Sequence, residues 1–106
     1  MAEIDHDILN TVKTFIKSLE DSGINVESAY LFGSYAINRA SRWSDIDVAV
    51  ISPDFSTDRF DERIRLMKLS MKIDSRIEPV PFRSDDFKDT DPLVDEIKKS
   101  GITILV

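Results

Sequence analysis

Residues 45–51, DIDVAVI, constrain the fold more than any other part of the chain. In an extended strand alternate side chains share a face, so Ile46, Val48 and Val50 lie on one side and Ala49 and Ile51 on the other. A strand apolar on both sides belongs inside a sheet that is covered on both sides. The expected architecture is therefore a layered α/β domain. The chain has 106 residues, room for one such domain and not for a second. At that length folding buries roughly 65% of the unfolded surface, so the core needs no covalent staple. Cysteine is absent, which excludes disulfides and thiolate-ligated zinc.

The remaining pattern supplies the partners of that strand. Ile4, Ile8, Val12, Phe15, Ile16 and Leu19 recur at spacings of three and four, predicting an amphipathic helix over 5–22 that Gly23 terminates. Residues 26–32, rich in β-branched and aromatic side chains, read as a strand running into a turn at Gly33-Ser34. Residues 35–42 have room for two helical turns. Phe60, Ile64, Met67 and Met71 step by four, three and four, predicting a second amphipathic helix over 58–72 with Met67 and Met71 filling the core. Residues 76–80 form a candidate strand that Pro79 and Pro81 demote to an edge or a short piece. Asp91-Pro92 is a helix-start signature, Leu93, Val94 and Ile97 give that helix its apolar side, and Gly101 ends it. Residues 102–106 read as a closing strand. The sum is a single α/β (α+β) domain over 1–106, with about four strands in mixed directions and three or four helices.

Charge narrows the partners. Acidic residues number 20 and basic residues 14, a formal net charge of −6. No basic stripe exists to displace counterions from a long nucleic acid, so that partner is not expected. A small anionic ligand remains compatible if metal cations bridge the two. No apolar run approaches ~18 residues, and the first seven residues are acidic where a secretion signal is basic, so a cytoplasmic protein with no membrane partner is expected.

The chemistry concentrates in residues 31–51, LFGSYAINRASRWSDIDVAVI. Asp45 and Asp47 point to the same side of a strand with α-carbons ~6.6 Å apart. At an effective dielectric of ~20 their charges repel by roughly 2–3 kcal/mol, a burden an apolar strand has no structural reason to carry. A divalent cation removes it, and hard oxygen ligands with few other protein groups suit Mg²⁺. Gly33 permits a positive φ and close backbone approach, and Ser34 adds a hydroxyl beside exposed amides, which together suit a phosphate. A Gly-Ser pair at a strand end is by itself an ordinary turn, and Asp-Ile-Asp by itself is compatible with strand-end capping. In this order, twelve positions apart and ahead of an apolar strand, the two point to phosphoryl or nucleotidyl transfer.

The pattern formed by Gly33, Ser34, Ala36, Ala40, Ser44, Asp45, Ile46 and Asp47 resembles the signature of the nucleotidyltransferase superfamily related to polymerase beta. The short length is similar to the minimal nucleotidyltransferases, whose members often act as antitoxins beside a HEPN-domain toxin. The segments 76–82 (RIEPVPF) and 91–102 (DPLVDEIKKSGI) are similar to one branch of that family. Two positions depart from it. Asn38 stands where the family usually has Gly, a substitution Asn tolerates because it enters left-handed conformations readily. Ile37 stands where Arg or Lys is frequent, so a phosphate contact is missing, with Arg39 or Arg42 as replacements and solvated surface charge as their plain alternative.

The resemblance implies a third acid beside Asp45 and Asp47, and the candidates are Asp74 and Glu78. Glu78 lies in a strand at the place where the related branch has Glu, whereas Asp74 lies beside a helix end and reads as a turn residue. The implied catalytic and metal set is Asp45, Asp47 and Glu78 with two Mg²⁺ ions; the implied nucleotide-binding set is Gly33, Ser34, Ser44, Arg39 and Arg42. ATP or another nucleoside triphosphate would donate a nucleoside monophosphate, AMP from ATP, to a hydroxyl on a partner protein, a helical HEPN-type toxin, because a chain this short lacks the helical domain with which larger relatives hold small substrates. Two alternatives stay open: a degenerate relative that neutralises its partner by contact alone, and a transferase acting on a small molecule of the aminoglycoside type. A homo-oligomer is also left open. His6 reads as a surface residue, Trp43 as packing at the corner before the strand, and the acidic cluster Asp85, Asp86, Asp89 and Asp91 as caps and solvated charge.

Overall fold

The computed structural model describes residues 5–41 and 43–104. Helix α1 (His6–Asp21) starts where the Asp5 carboxylate accepts the Asp7 amide at 2.8 Å. It stops in a Schellman motif: Gly23, at φ 91°, lets the Ile24 amide donate back to the Leu19 carbonyl while its own amide donates to Glu20. Strands β1 (Ser28–Phe32) and β2 (Ile46–Ser52), helix α2 (Arg59–Met71), strand β3 (Ile77–Arg83), helix α3 (Pro92–Ser100) and the two-residue strand β4 (Ile102–Thr103) follow. Single 3₁₀ turns occupy Gly33–Tyr35 and Ser84–Asp86. The sheet order is β3-β2-β1-β4, with β2 and β3 parallel and the other pairs antiparallel. The architecture is the expected small α/β domain with a mixed four-stranded sheet.

β2 is interior and covered on both faces. Ile46, Val48 and Val50 pack with Leu31 of β1, with Val12, Phe15, Ile16 and Leu19 of α1 and with Leu66 of α2. Ala49 and Ile51 pack on the other face with Phe82, Val94 and Ile97. β3 runs three residues beyond the expected strand, to Arg83. It tolerates Pro79 and Pro81 because it is an edge strand, where absent amide donors cost nothing if they face the open side. α3 begins at Asp91, whose side chain accepts the Leu93 amide at 2.9 Å, as the Asp-Pro signature predicts. β4 is shorter than the expected closing strand; Ile104 adds one further bond to the Ala29 carbonyl, and residues 105 and 106 lie outside the described residues.

α2 overturns an expectation. Its limits agree with the periodicity, but its buried positions are Glu62, Leu66 and Ser70, while Phe60, Ile64, Met67 and Met71 face outward. Met67 and Met71 are therefore not core residues. The helix carries a second apolar line, Leu66 and Leu69, continued by Ile73 just past its end, and packing chose that one. Buried Glu62 is accommodated because its carboxylate accepts the Ser56 amide at 3.2 Å and pairs with Arg65 at 3.1 Å. Trp43 is a further correction: it is 82% exposed and fills no corner. His6 is exposed, as expected.

Candidate active site

Strand register assembles the acids. Phe32 of β1 pairs with Asp47 of β2, and Asp47 pairs with Glu78 of β3, so one row crosses three strands. Register partners on adjacent strands project from the same face, which for Asp47 and Glu78 is the face of Ala49, Ile51 and Phe82. Asp45 stands one residue before β2 and is exposed. The Asp47 carboxyl is pushed above its ordinary value, first by burial, then by the negative charges of Asp45 and Glu78. The three acids thus act on one another electrostatically although they come from two strands and a loop.

The turn after β1 meets the same spot. Gly33 has φ 74°, and a Cβ added there would overlap the Asp47 carboxylate. Only glycine leaves this backbone and that carboxylate side by side, so the twelve-residue gap between Gly33 and Asp45 closes in space. The segment after Gly33 is not the short helix expected over 35–42. It is one 3₁₀ turn, with the Ala36 amide on the Gly33 carbonyl at 3.1 Å and the Arg39 amide on the Ser34 carbonyl at 2.8 Å. Any phosphate grip here rests on individual amides rather than on a helix dipole.

Asn38 enters the left-handed region at φ 59°, as its replacement of glycine requires. Asn38→Ala is expected to cost about 1 kcal/mol, since alanine lacks asparagine's tolerance of that conformation, and Asn38→Gly little. Thermal unfolding would read the difference as about 4–8 °C; equal melting temperatures for the two variants would contradict it.

The other candidates divide. The Ser44 hydroxyl accepts the Ser41 amide at 2.8 Å and so ties the loop ahead of Asp45. Arg39 is exposed beside the turn, and Arg42 lies outside the described residues. Asp74 is committed to Arg76, which bonds both carboxylate oxygens at 2.8 and 3.1 Å and holds its pKa below the ordinary value. Its carboxylate is thus engaged by Arg76 in the turn ahead of β3. Glu78 carries a partner that sequence reasoning missed: Arg63 of α2 donates to its carboxylate at 3.2 Å. Nothing in the local pattern signals a pair fifteen residues apart. Among the described residues no three acidic or histidine side chains stand as a ready metal cage, and Glu78 rests on Arg63 instead. The donor set is nonetheless all oxygen, and a cation is what would relieve the strain on Asp47, so the residues fit a hard divalent ion.

A close backbone turn beside clustered carboxylates that can hold a divalent cation suits a polyphosphate. The family described as nucleotidyltransferase domain matches residues 9–102. The chain belongs to the nucleotidyltransferase family. Within it the chain is 38% identical over 69 residues to the protein adenylyltransferase MntA of Shewanella oneidensis. That match covers 65% of this chain and 49% of MntA, so the chain spans about half the length of the curated relative. Among solved structures, a toxin–antitoxin with AMP-PNP superimposes with TM-score 0.65 at 27% identity, covering 92% of this chain and 72% of that one. A tri-AMPylated Shewanella oneidensis HEPN toxin in complex with its MNT antitoxin gives TM-score 0.63 at 27% identity, covering 92% and 71%.

Proposed function

We propose that this nucleotidyltransferase-family chain is a Mg²⁺-dependent enzyme that moves AMP from ATP onto a hydroxyl of a partner protein, a HEPN-type toxin for which it is the antitoxin. The observation that carries the reading is the Gly33 backbone packed against Asp47, with Glu78 in register on the next strand. The names of the relatives support the donor and the acceptor: one is a protein adenylyltransferase, and one solved complex holds an AMPylated HEPN toxin.

In this reading Asp45, Asp47 and Glu78 would hold the metal, with two ions expected. When bound, the ions neutralise phosphate charge and acidify the attacking hydroxyl. The chain's own residues do the rest. The amides around Gly33 and Ser34 orient the triphosphate, Arg39 adds positive charge beside it, and Ser44 fixes the loop that delivers Asp45. Glu78 stands to take the hydroxyl proton. The acceptor oxygen bonds to the α-phosphorus, the bond from that phosphorus to the bridging oxygen breaks, and pyrophosphate leaves. The test is incubation with α-labelled ATP, Mg²⁺ and the protein encoded by the adjacent reading frame. Label should reach that protein with wild type and not with Asp47→Asn; equal labelling by both would end the proposal.

The Arg63–Glu78 pair favours the contact-only reading to one degree, because it occupies the third acid. Both side chains are exposed enough for the pair to be worth about 0–1 kcal/mol, too little to block a cation. Arg63→Ala is accordingly expected to tighten Mn²⁺ binding by up to about fivefold, the equivalent of that pair energy. Electron paramagnetic resonance titration of free Mn²⁺ measures it, and weaker binding in the variant would show that Arg63 supports the site rather than competing for it.

A further inference from the structure

The outward face of α2 lacks any role in the core or the acid cluster. Phe60 is 72% exposed and Met71 67%, with Ile64 and Met67 between them on the same helical stripe. At 1.5 Å per residue the stripe is about 16 Å long. Its first residue borders a groove of about 280 Å³ between α2 and the edge strand β3, lined by Arg59, Phe60, Arg63, Val80 and Pro81. Arg63 is also the residue bonded to Glu78. The apolar stripe therefore runs directly out of the acid cluster. A contiguous apolar line of this kind on a soluble domain marks a binding surface.

Charge identifies the occupant. Residues 59–72 hold five basic and two acidic residues, and one of the two acids, Glu62, is buried; the rest of the chain holds nine basic and eighteen acidic. Arg65 is offset by Glu62 and Arg63 by Glu78, which leaves Arg59, Lys68 and Lys72 against Asp61, a net positive charge along α2 on an anionic protein. A second copy fits poorly: two α2 faces together would oppose their cations, and α2 on an acidic face of another copy is a head-to-tail contact with no reason to close. A different protein, with an apolar helix ridge flanked by Asp and Glu, satisfies both the stripe and the charge. We propose that this face of α2 docks the acceptor protein through such an acid-flanked apolar helix, placing its hydroxyl at the groove beside Glu78. The proposal rests on the reading that the acceptor is a protein.

The test uses the full chain with Ile64→Glu and Met67→Glu combined, and Lys68→Glu separately. All three positions are solvent-facing, so melting temperature and AMP-PNP binding, followed by the fluorescence of the single tryptophan, should stay at wild-type values. Affinity for the protein of the adjacent reading frame, by calorimetry, should fall at least tenfold in the double variant. It should fall severalfold in Lys68→Glu, and wild-type binding should weaken as salt rises. In the labelling assay KM for the acceptor should rise while kcat at saturation holds. Unchanged affinity in both variants overturns the proposal. So does a wild-type chain that fails to bind the acceptor, or whose stripe serves only self-association by sedimentation, anionic vesicles or RNA. Binding without labelling that is still lost in the double variant leaves the docking face standing and removes the transfer reading; equal labelling by wild type and double variant does the reverse.

Discussion

Asp47→Asn is expected to remove transfer by roughly a thousandfold or more, since several kcal/mol of charge stabilisation are lost at about 1.4 kcal/mol per factor of ten. The same substitution is expected to raise thermal stability at neutral pH in the absence of metal. The Asp47 carboxyl lies above its ordinary value because of burial and then because of Asp45 and Glu78. A group whose folded pKa is raised stabilises the fold fully below its unfolded value, and that contribution is lost as pH rises through the folded value. At pH 7 the ionised side chain therefore works against folding, and the neutral amide does not. The gain should shrink as pH falls and vanish below about pH 4, where the wild-type carboxyl is protonated in both states. Mg²⁺ should stabilise wild type at pH 7 and leave Asp47→Asn nearly unmoved, because a ligand that binds only the folded state raises its stability. Melting curves with and without Mg²⁺ across pH measure both effects. A variant less stable than wild type at pH 7 without metal would show that Asp47 has a structural counter-charge after all.

Gly33→Ala is expected to harm folding and chemistry together. The residue sits at φ 74°, which costs an L side chain about 1–2 kcal/mol, and its new methyl group would overlap the Asp47 carboxylate. The melting temperature should drop by about 4–16 °C at roughly 4–8 °C per kcal/mol. Transfer should fall about a hundredfold beyond what lost folding explains, the usual consequence of moving a reacting group by about 1 Å. Gly23 provides the control. It also has a positive φ but nothing within 4 Å of an added Cβ, so Gly23→Ala should lower stability through strain alone and keep kcat. Equal activity in the two variants, once both are folded, would separate Gly33 from the chemistry.

Much of the site was legible because its signals are local. Gly33, Asn38, Asp45 and Asp47 announce positive-φ turns and same-face acids within fifteen residues, and backbone stereochemistry alone makes those readings. The pattern of residues 46–51 announced an interior strand, and Asp91-Pro92 announced the start of α3, whereas the Asp5 and Asp58 caps became visible only in the structure. Glu78 was reached through resemblance and then found in register with Asp47, a relation that parallel pairing creates and no local pattern encodes.

What the chain's order of residues determined by itself was where the three long helices and the strands β1 to β3 lie, because periodicity, caps and glycine act over a few residues. Only the tertiary structure decided which face of α2 is buried. Two apolar lines compete on that helix with similar spacing, and the choice depends on the shape of the sheet it meets, where Leu66 and small Ser70 fit and Phe60 and Met71 do not. Packing likewise brought Arg63 to Glu78 and shortened the expected helix after Gly33 to a single turn. Contacts between distant segments follow from steric fit and charge in three dimensions, which neighbouring residues along the chain do not specify.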